Sequence, residues 1–153
     1  MAESFRSRLA RWGFNWFPAF RRTGGRLVYI AADWHEVRVK LPFNWQTRNY
    51  VGTMFGGSLY AATDGIYMVM LLKLLGPGHV VWDKSASIRF RKPCRMTVYA
   101  TFAFDAREID AIRERAATEP KLERQYQVDW TGRDGTVYAS VETTIHIRRK
   151  ESS

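Results

Sequence analysis

Cysteine is almost absent. Cys94 stands alone in 153 residues, which excludes an internal disulfide and any cysteine-based metal site. Histidine is nearly as scarce: His35, His79 and His146 are too scattered for a metal site and read as structural or surface residues, so no metal is expected. No long uncharged apolar run exists. The longest, Leu59 to Leu75, is 17 residues and carries Asp64 and Lys73, too short and too charged for a membrane span. No continuous apolar stretch follows the basic N-terminus, so no secretory signal is expected, and with one cysteine a cytoplasmic location is the expectation. Internal repeats and low-complexity segments are also missing.

Acids are in short supply. Fifteen Asp and Glu face 24 Lys and Arg, for a net charge of +9, which favours anionic partners. The imbalance is steepest at the start, where Arg6, Arg8, Arg11, Arg21, Arg22 and Arg26 meet only Glu3. Hydrophobic content of 46% and aromatic content of 14% fit a folded globule with one core. The spacing of arginines and aromatics predicts a short amphipathic helix ending near Pro18, then a loop through Gly24-Gly25. Residues 1–25 are thus read as a basic, aromatic helical segment and 26–150 as the main domain. The segment is expected to act as a lid packed on that domain, or alternatively to contact a membrane surface. Nothing resembles a nucleic-acid motif, and no nucleic-acid partner is expected.

Residues 27–41 have strand-like alternation, with Glu36, Arg38 and Lys40 against Val37, Val39 and Leu41. A loop at 42–55 precedes a long helix, Gly57 to Leu75, stopped by Gly76-Pro77-Gly78. Four extended segments follow, near 80–91, 96–106, 121–131 and 136–148, with a short polar helix at 108–118. Thr131 to Gly135 reads as the hairpin loop between the last two strands. The order predicts an α+β architecture, one mostly antiparallel sheet wrapped round one helix.

The stretch from Asn49 to Asp64 carries the chemistry. Gly56 and Gly57 bare backbone N–H groups at the positive end of the helix dipole, where an oxyanion would be stabilised. Asp64 would lie two turns further in, costly to bury in an apolar helix unless partnered or used. Donors plus a carboxylate suit hydrolysis of an activated acyl group.

These residues resemble the hotdog-fold thioesterases, in particular the phenylacetyl-CoA thioesterase-like group. That group carries Asn-x-x-Gly-x-x-His-Gly-Gly followed by an acidic residue. Asn49, Gly52, Gly56, Gly57 and Asp64 fall in register, with Phe55 where the His would be. Ser85 to Pro93 is similar to the group's second strand, which ends in an aromatic, two variable residues and Pro. The phrase Val81-Trp82-Asp83-Lys84 looks more like an uncharacterised thioesterase-like branch.

The resemblance covers about residues 27–148. It implies an acyl-CoA thioesterase acting on a fatty-acyl or aryl thioester between the subunits of a homodimer or homotetramer. Coenzyme A would enter only as part of the substrate, with no other cofactor. Gly56, beside Gly57, would donate to the thioester carbonyl, Asp64 would be base or nucleophile, and Asn49 would orient water. Asp83 falls where some relatives hold that water. Arg89, Arg91, Lys92 and Arg95 would meet the coenzyme phosphates, or simply form a solvated basic face. The other readings are structural: Asp64 bonded to Tyr60 or Tyr67, Asp83-Lys84 an ion pair, Asn49 a turn residue, Gly56 and Gly57 close-packing positions. Phe55 motivates the alternative of a non-catalytic acyl-CoA or fatty-acyl binding protein.

Overall fold

The fold is seen in a computed structural model that describes residues 1–150. Six antiparallel strands form one sheet, β1 (Arg26–Ile30), β2 (Glu36–Leu41), β3 (His79–Phe90), β4 (Val98–Ala103), β5 (Leu122–Thr131) and β6 (Val137–Arg149), ordered β1-β2-β4-β5-β6-β3. The sheet holds α3 (Gly56–Ala61) and α4 (Ile66–Leu75). Leu59, Ala62, Ile66, Met70 and Leu71 are buried in one core with Val37, Val39, Phe102, Val141 and Ile145. The 20-residue stretch Gly56–Leu75 is apolar enough to cross a bilayer by composition, yet half of it is buried inside the domain. Helix α5 (Ala106–Thr118) bridges β4 to β5 and buries Ile109, Ile112 and Ala116, one face at helical spacing.

Two expectations are corrected. The 27–41 stretch is a hairpin rather than one strand, because the chain turns at 31–35 with Trp34 in the left-handed region at φ 64°. Trp34 sits 5.5 Å from the Lys73 ammonium, a cation–π contact that ties the turn to α4. The long helix is also interrupted. Thr63 N–H donates to Tyr60 and Asp64 N–H to Ala61, three residues back instead of four, and Gly65 then takes φ 74°. Asp64 therefore sits at a break between α3 and α4, not within a helix.

The break frees the carbonyl of Leu59, which a continuous helix would pair with Thr63. The indole N–H of Trp130, fully buried on β5, donates to it at 2.7 Å. A sheet residue thereby completes the helix backbone and fixes where the helix turns.

At the N-terminus, α1 (Phe5–Trp16) opens on a reciprocal Ser4–Ser7 capping box and α2 (Pro18–Arg22) follows at once. Helix α1 lies along β1, an edge of the sheet. The Asn15 amide donates to the Leu27 carbonyl at 2.9 Å and accepts from the Leu27 N–H at 2.7 Å. Glu3, ion-paired with Arg11, accepts the Ile30 N–H at 3.0 Å. These side chains occupy backbone groups that a further strand would use.

Candidate active site

The loop before α3 is built to present Gly56. Thr47, fully buried, donates through Oγ1 to the Pro42 carbonyl at 2.6 Å, and its own carbonyl takes the Phe55 N–H at 2.7 Å. Asn49 closes the next turn: its Oδ1 accepts from Val51 and Thr53 N–H, and its Nδ2 donates to Thr53 Oγ1 at 2.8 Å. Its amide is thus engaged in the loop. Met54 N–H donates to the Cys94 carbonyl at 2.7 Å. Cys94 is buried, and burial pushes its thiol up, which suits a packing residue rather than a nucleophile.

Helix bonding begins at Ser58, so the N–H groups of Gly56 and Gly57 have no backbone acceptor among the described residues. Both glycines lie under aromatic rings. A Cβ on Gly56 would meet Phe90 Cζ at 2.7 Å, and one on Gly57 would meet Phe55 Cε1 at 2.5 Å. Close approach of the rings accounts for glycine at both positions. Gly56 lines a cleft of about 550 Å³ with Asn49, Phe90, Arg91, Lys92 and Arg95. Arg91 is steadied by Ser140, its Nε donating to Oγ at 3.2 Å. Arg89 lies on the exposed part of β3 and is not among the cleft residues.

The carboxylates occupy a second place. Asp64 is exposed and accepts no side-chain hydrogen bond among the described residues, and Tyr67 instead donates to the Gln127 carbonyl at 3.1 Å. Asp83 is half-buried on β3, beside a bulge that shifts the register between Asp83 and Ser85. Its Oδ2 accepts the Gly65 N–H at 3.1 Å, while its Oδ1 is buried without a partner. Burial raises the Asp83 pKa above the usual carboxylate range, and the charge of Asp64 adds to the rise against the opposing Gly65 bond. Lys84 pairs with Glu123, so Asp83 and Lys84 form no ion pair. Asp64 and Gly65 line an apolar cleft of about 570 Å³ walled by Phe14, Phe17 and Phe20 from the N-terminal helices and by Met68.

Two half-sites result, one with donors and cations, the other with carboxylates and an apolar wall. Gly56 opens α3 and Asp64 lies eight positions on, in the turn that follows it, so the two line different clefts. Gly65 and the apolar wall were missed in sequence. Asp64-Gly65 inside an apolar run is a turn signal that could have found the first, whereas nothing local marks Phe14, Phe17 and Phe20 as neighbours of Asp64.

Comparison places this architecture. A Pseudomonas aeruginosa protein of unknown function, described as a probable thioesterase, superposes with a TM-score of 0.83 at 22% identity, over 98% of this chain and 99% of its own. A Haemophilus influenzae thioesterase gives 0.69 at 14% identity over 96% and 93%. Mouse thioesterase superfamily member 2 gives 0.66 at 19% identity over 94% and 98%. The chain has the hotdog fold that these structures share. Residues 6–147 match DUF4442, a domain of unknown function, and the chain belongs to that family. No curated protein matches the chain.

Proposed function

We propose that the protein hydrolyses acyl-CoA thioesters in a site assembled from two copies. The observation that carries this reading is the separation of complementary half-sites, at Gly56 on the start of α3 and at Asp64 in the turn before α4. Two copies meeting through β3 would join them. The outer edge of β3 is unpaired, and most residues from Trp82 to Phe90 are exposed. A homodimer is the minimal assembly, and a homotetramer would repeat the same site.

In the proposed reaction the thioester carbonyl of the substrate accepts hydrogen bonds from Gly56 and Gly57 N–H. The Asp64 carboxylate of the other copy takes a proton from water as its oxygen attacks the carbonyl carbon. Charge accumulates on the carbonyl oxygen under the helix N-terminus. Collapse breaks the carbon–sulfur bond, and the proton passes to the departing thiolate, giving acid and free coenzyme A. Asp83 holds the attacking water and, by accepting the Gly65 N–H, the turn that carries Asp64. Asn49 acts by holding the loop that aims Gly56. Arg91, Lys92 and Arg95 in the loop after β3 meet the coenzyme phosphates, with Arg89 near the end of β3 beside them. The apolar cleft beside Asp64 takes a fatty-acyl or aryl tail.

The test is thiol release from short, long and aryl acyl-CoA substrates, with wild type beside Asp64→Asn. The variant is expected to lose about 10²-fold or more in turnover with little change in binding. Unchanged turnover would refute the assignment.

A second reading has its own observation. Phe55 and Phe90 cover the two glycines, as expected of a protein that binds acyl-CoA without cleaving it. Retention of acyl-CoA with no thiol release by wild type would select that reading.

A further inference from the structure

Helix α1 carries its apolar face outward. Phe5, Leu9, Trp12 and Trp16 recur at helical spacing, forming one stripe, and they are 79%, 59%, 61% and 55% exposed. The opposite face, turned to the domain, buries Ser7 and packs Ala10 and Phe14. Arg11 and Asn15 also turn toward the domain, bonded to Glu3 and Leu27. A helix serving only as a lid would turn its largest apolar residues inward. Here the bonds of Glu3 to Ile30 and of Asn15 to Leu27 hold the helix in an orientation that leaves two tryptophans in water.

The stripe lies among cations. Arg6 and Arg8 are exposed on α1, and the Arg21 guanidinium stacks 4.2 Å over the Trp16 ring. Arg8, Arg11, Arg21 and Arg26 line a cleft of about 450 Å³ with Trp12 and Trp16. Glu3 is the only acid in the first 26 residues. Helix α1 covers β1, the sheet edge opposite β3, so pairing of copies through β3 leaves the stripe open.

Charge complementarity selects the occupant. A second copy would bring like-charged arginines together, whereas an anionic bilayer offers phosphates for the cations and an acyl boundary for the aromatics. Tryptophan beside arginine suits that boundary, where one end of the side chain is apolar and the other wet. We propose that α1 seats the protein on anionic membrane surfaces. Phe5, Leu9, Trp12 and Trp16 enter the acyl boundary, and Arg6, Arg8, Arg21 and Arg22 lie at headgroup phosphates. This does not depend on the thioesterase reading.

The experiment is sedimentation of the full chain with phosphatidylcholine vesicles, with or without phosphatidylglycerol, alongside tryptophan emission. The protein is expected to sediment with the anionic vesicles only, with a blue shift, and soluble glycerophosphate is expected to give no shift. Substituting Phe5, Leu9, Trp12 and Trp16 together by Ser should abolish sedimentation while the melting temperature holds. Arg6→Gln with Arg8→Gln should weaken it roughly 25-fold, about fivefold per charge. If the serine variant does not fold, the arginine pair and the lipid comparison still decide. Several outcomes would overturn the proposal: no binding to anionic vesicles, equal binding to neutral ones, or full binding by the serine variant. So would a smaller oligomer for that variant, which would mark the stripe as an interface between copies. Tighter binding to a single-stranded oligonucleotide than to vesicles would assign the surface to nucleic acid.

Discussion

Replacing Trp130 by Phe tests whether the helix break is built by the sheet. The indole N–H of Trp130 donates at 2.7 Å to the Leu59 carbonyl. Without that donor the carbonyl is buried and unpaired, at a cost of about 1–3 kcal/mol. The smaller ring also leaves a cavity at a fully buried position, adding about 1–2 kcal/mol. A loss of about 3 kcal/mol corresponds to a melting temperature lower by about 6–12 °C for a chain of this size. Thermal unfolding by circular dichroism measures the fall. Benzothienylalanine at position 130 keeps the ring size and lacks the N–H, and is expected to show roughly half of it. In the same preparations thiol release should drop, because Asp64 sits at the break. A benzothienyl variant that melts with wild type would refute the reasoning and leave Gly65 alone as the cause of the turn.

Two further substitutions address stability. Asn15→Ala removes both bonds to Leu27 and is expected to cost about 2 kcal/mol, read in denaturant unfolding; Asn15→Asp, which can accept but not donate, should fall between. Asp83 has a raised pKa in the folded chain from burial and the charge of Asp64. The folded state therefore holds that proton more tightly than the unfolded state, and stability falls as pH rises through the folded pKa. Asp83→Asn should raise the melting temperature at neutral pH, with the gain disappearing below the ordinary aspartate range; a gain that persists into acid would contradict this.

Legibility differed by element for physical reasons. Strand β6 could be read because Ala139, Val141, Ile145 and Ile147 alternate with wetter neighbours, and α5 because Ile109, Ile112 and Ala116 repeat at helical spacing. The β1–β2 hairpin was hidden because its turn, Ala31 to His35, contains neither glycine nor proline and places a tryptophan at positive φ. The break at Asp64 was masked by apolar residues running on through both helices. In the candidate site, glycines and carboxylate were legible as a spaced motif. Their division between two clefts was not, since it depends on where Phe90 and the N-terminal helices come to rest. The inverted face of α1 was equally hidden: a stripe gives a helix its period, but tertiary bonds such as those of Asn15 decide which side looks out.

The pairing of Asn15 with Leu27 sets the valency of the sheet. One edge is occupied by a side-chain amide shaped like a peptide group, and the other, β3, is open. A unit with a single adhesive edge can join one neighbour and then has none left to offer. Growth by strand addition would therefore stop at two, and a sheet with a 12-residue strand at its open edge would avoid the endless stacking that leads to fibres.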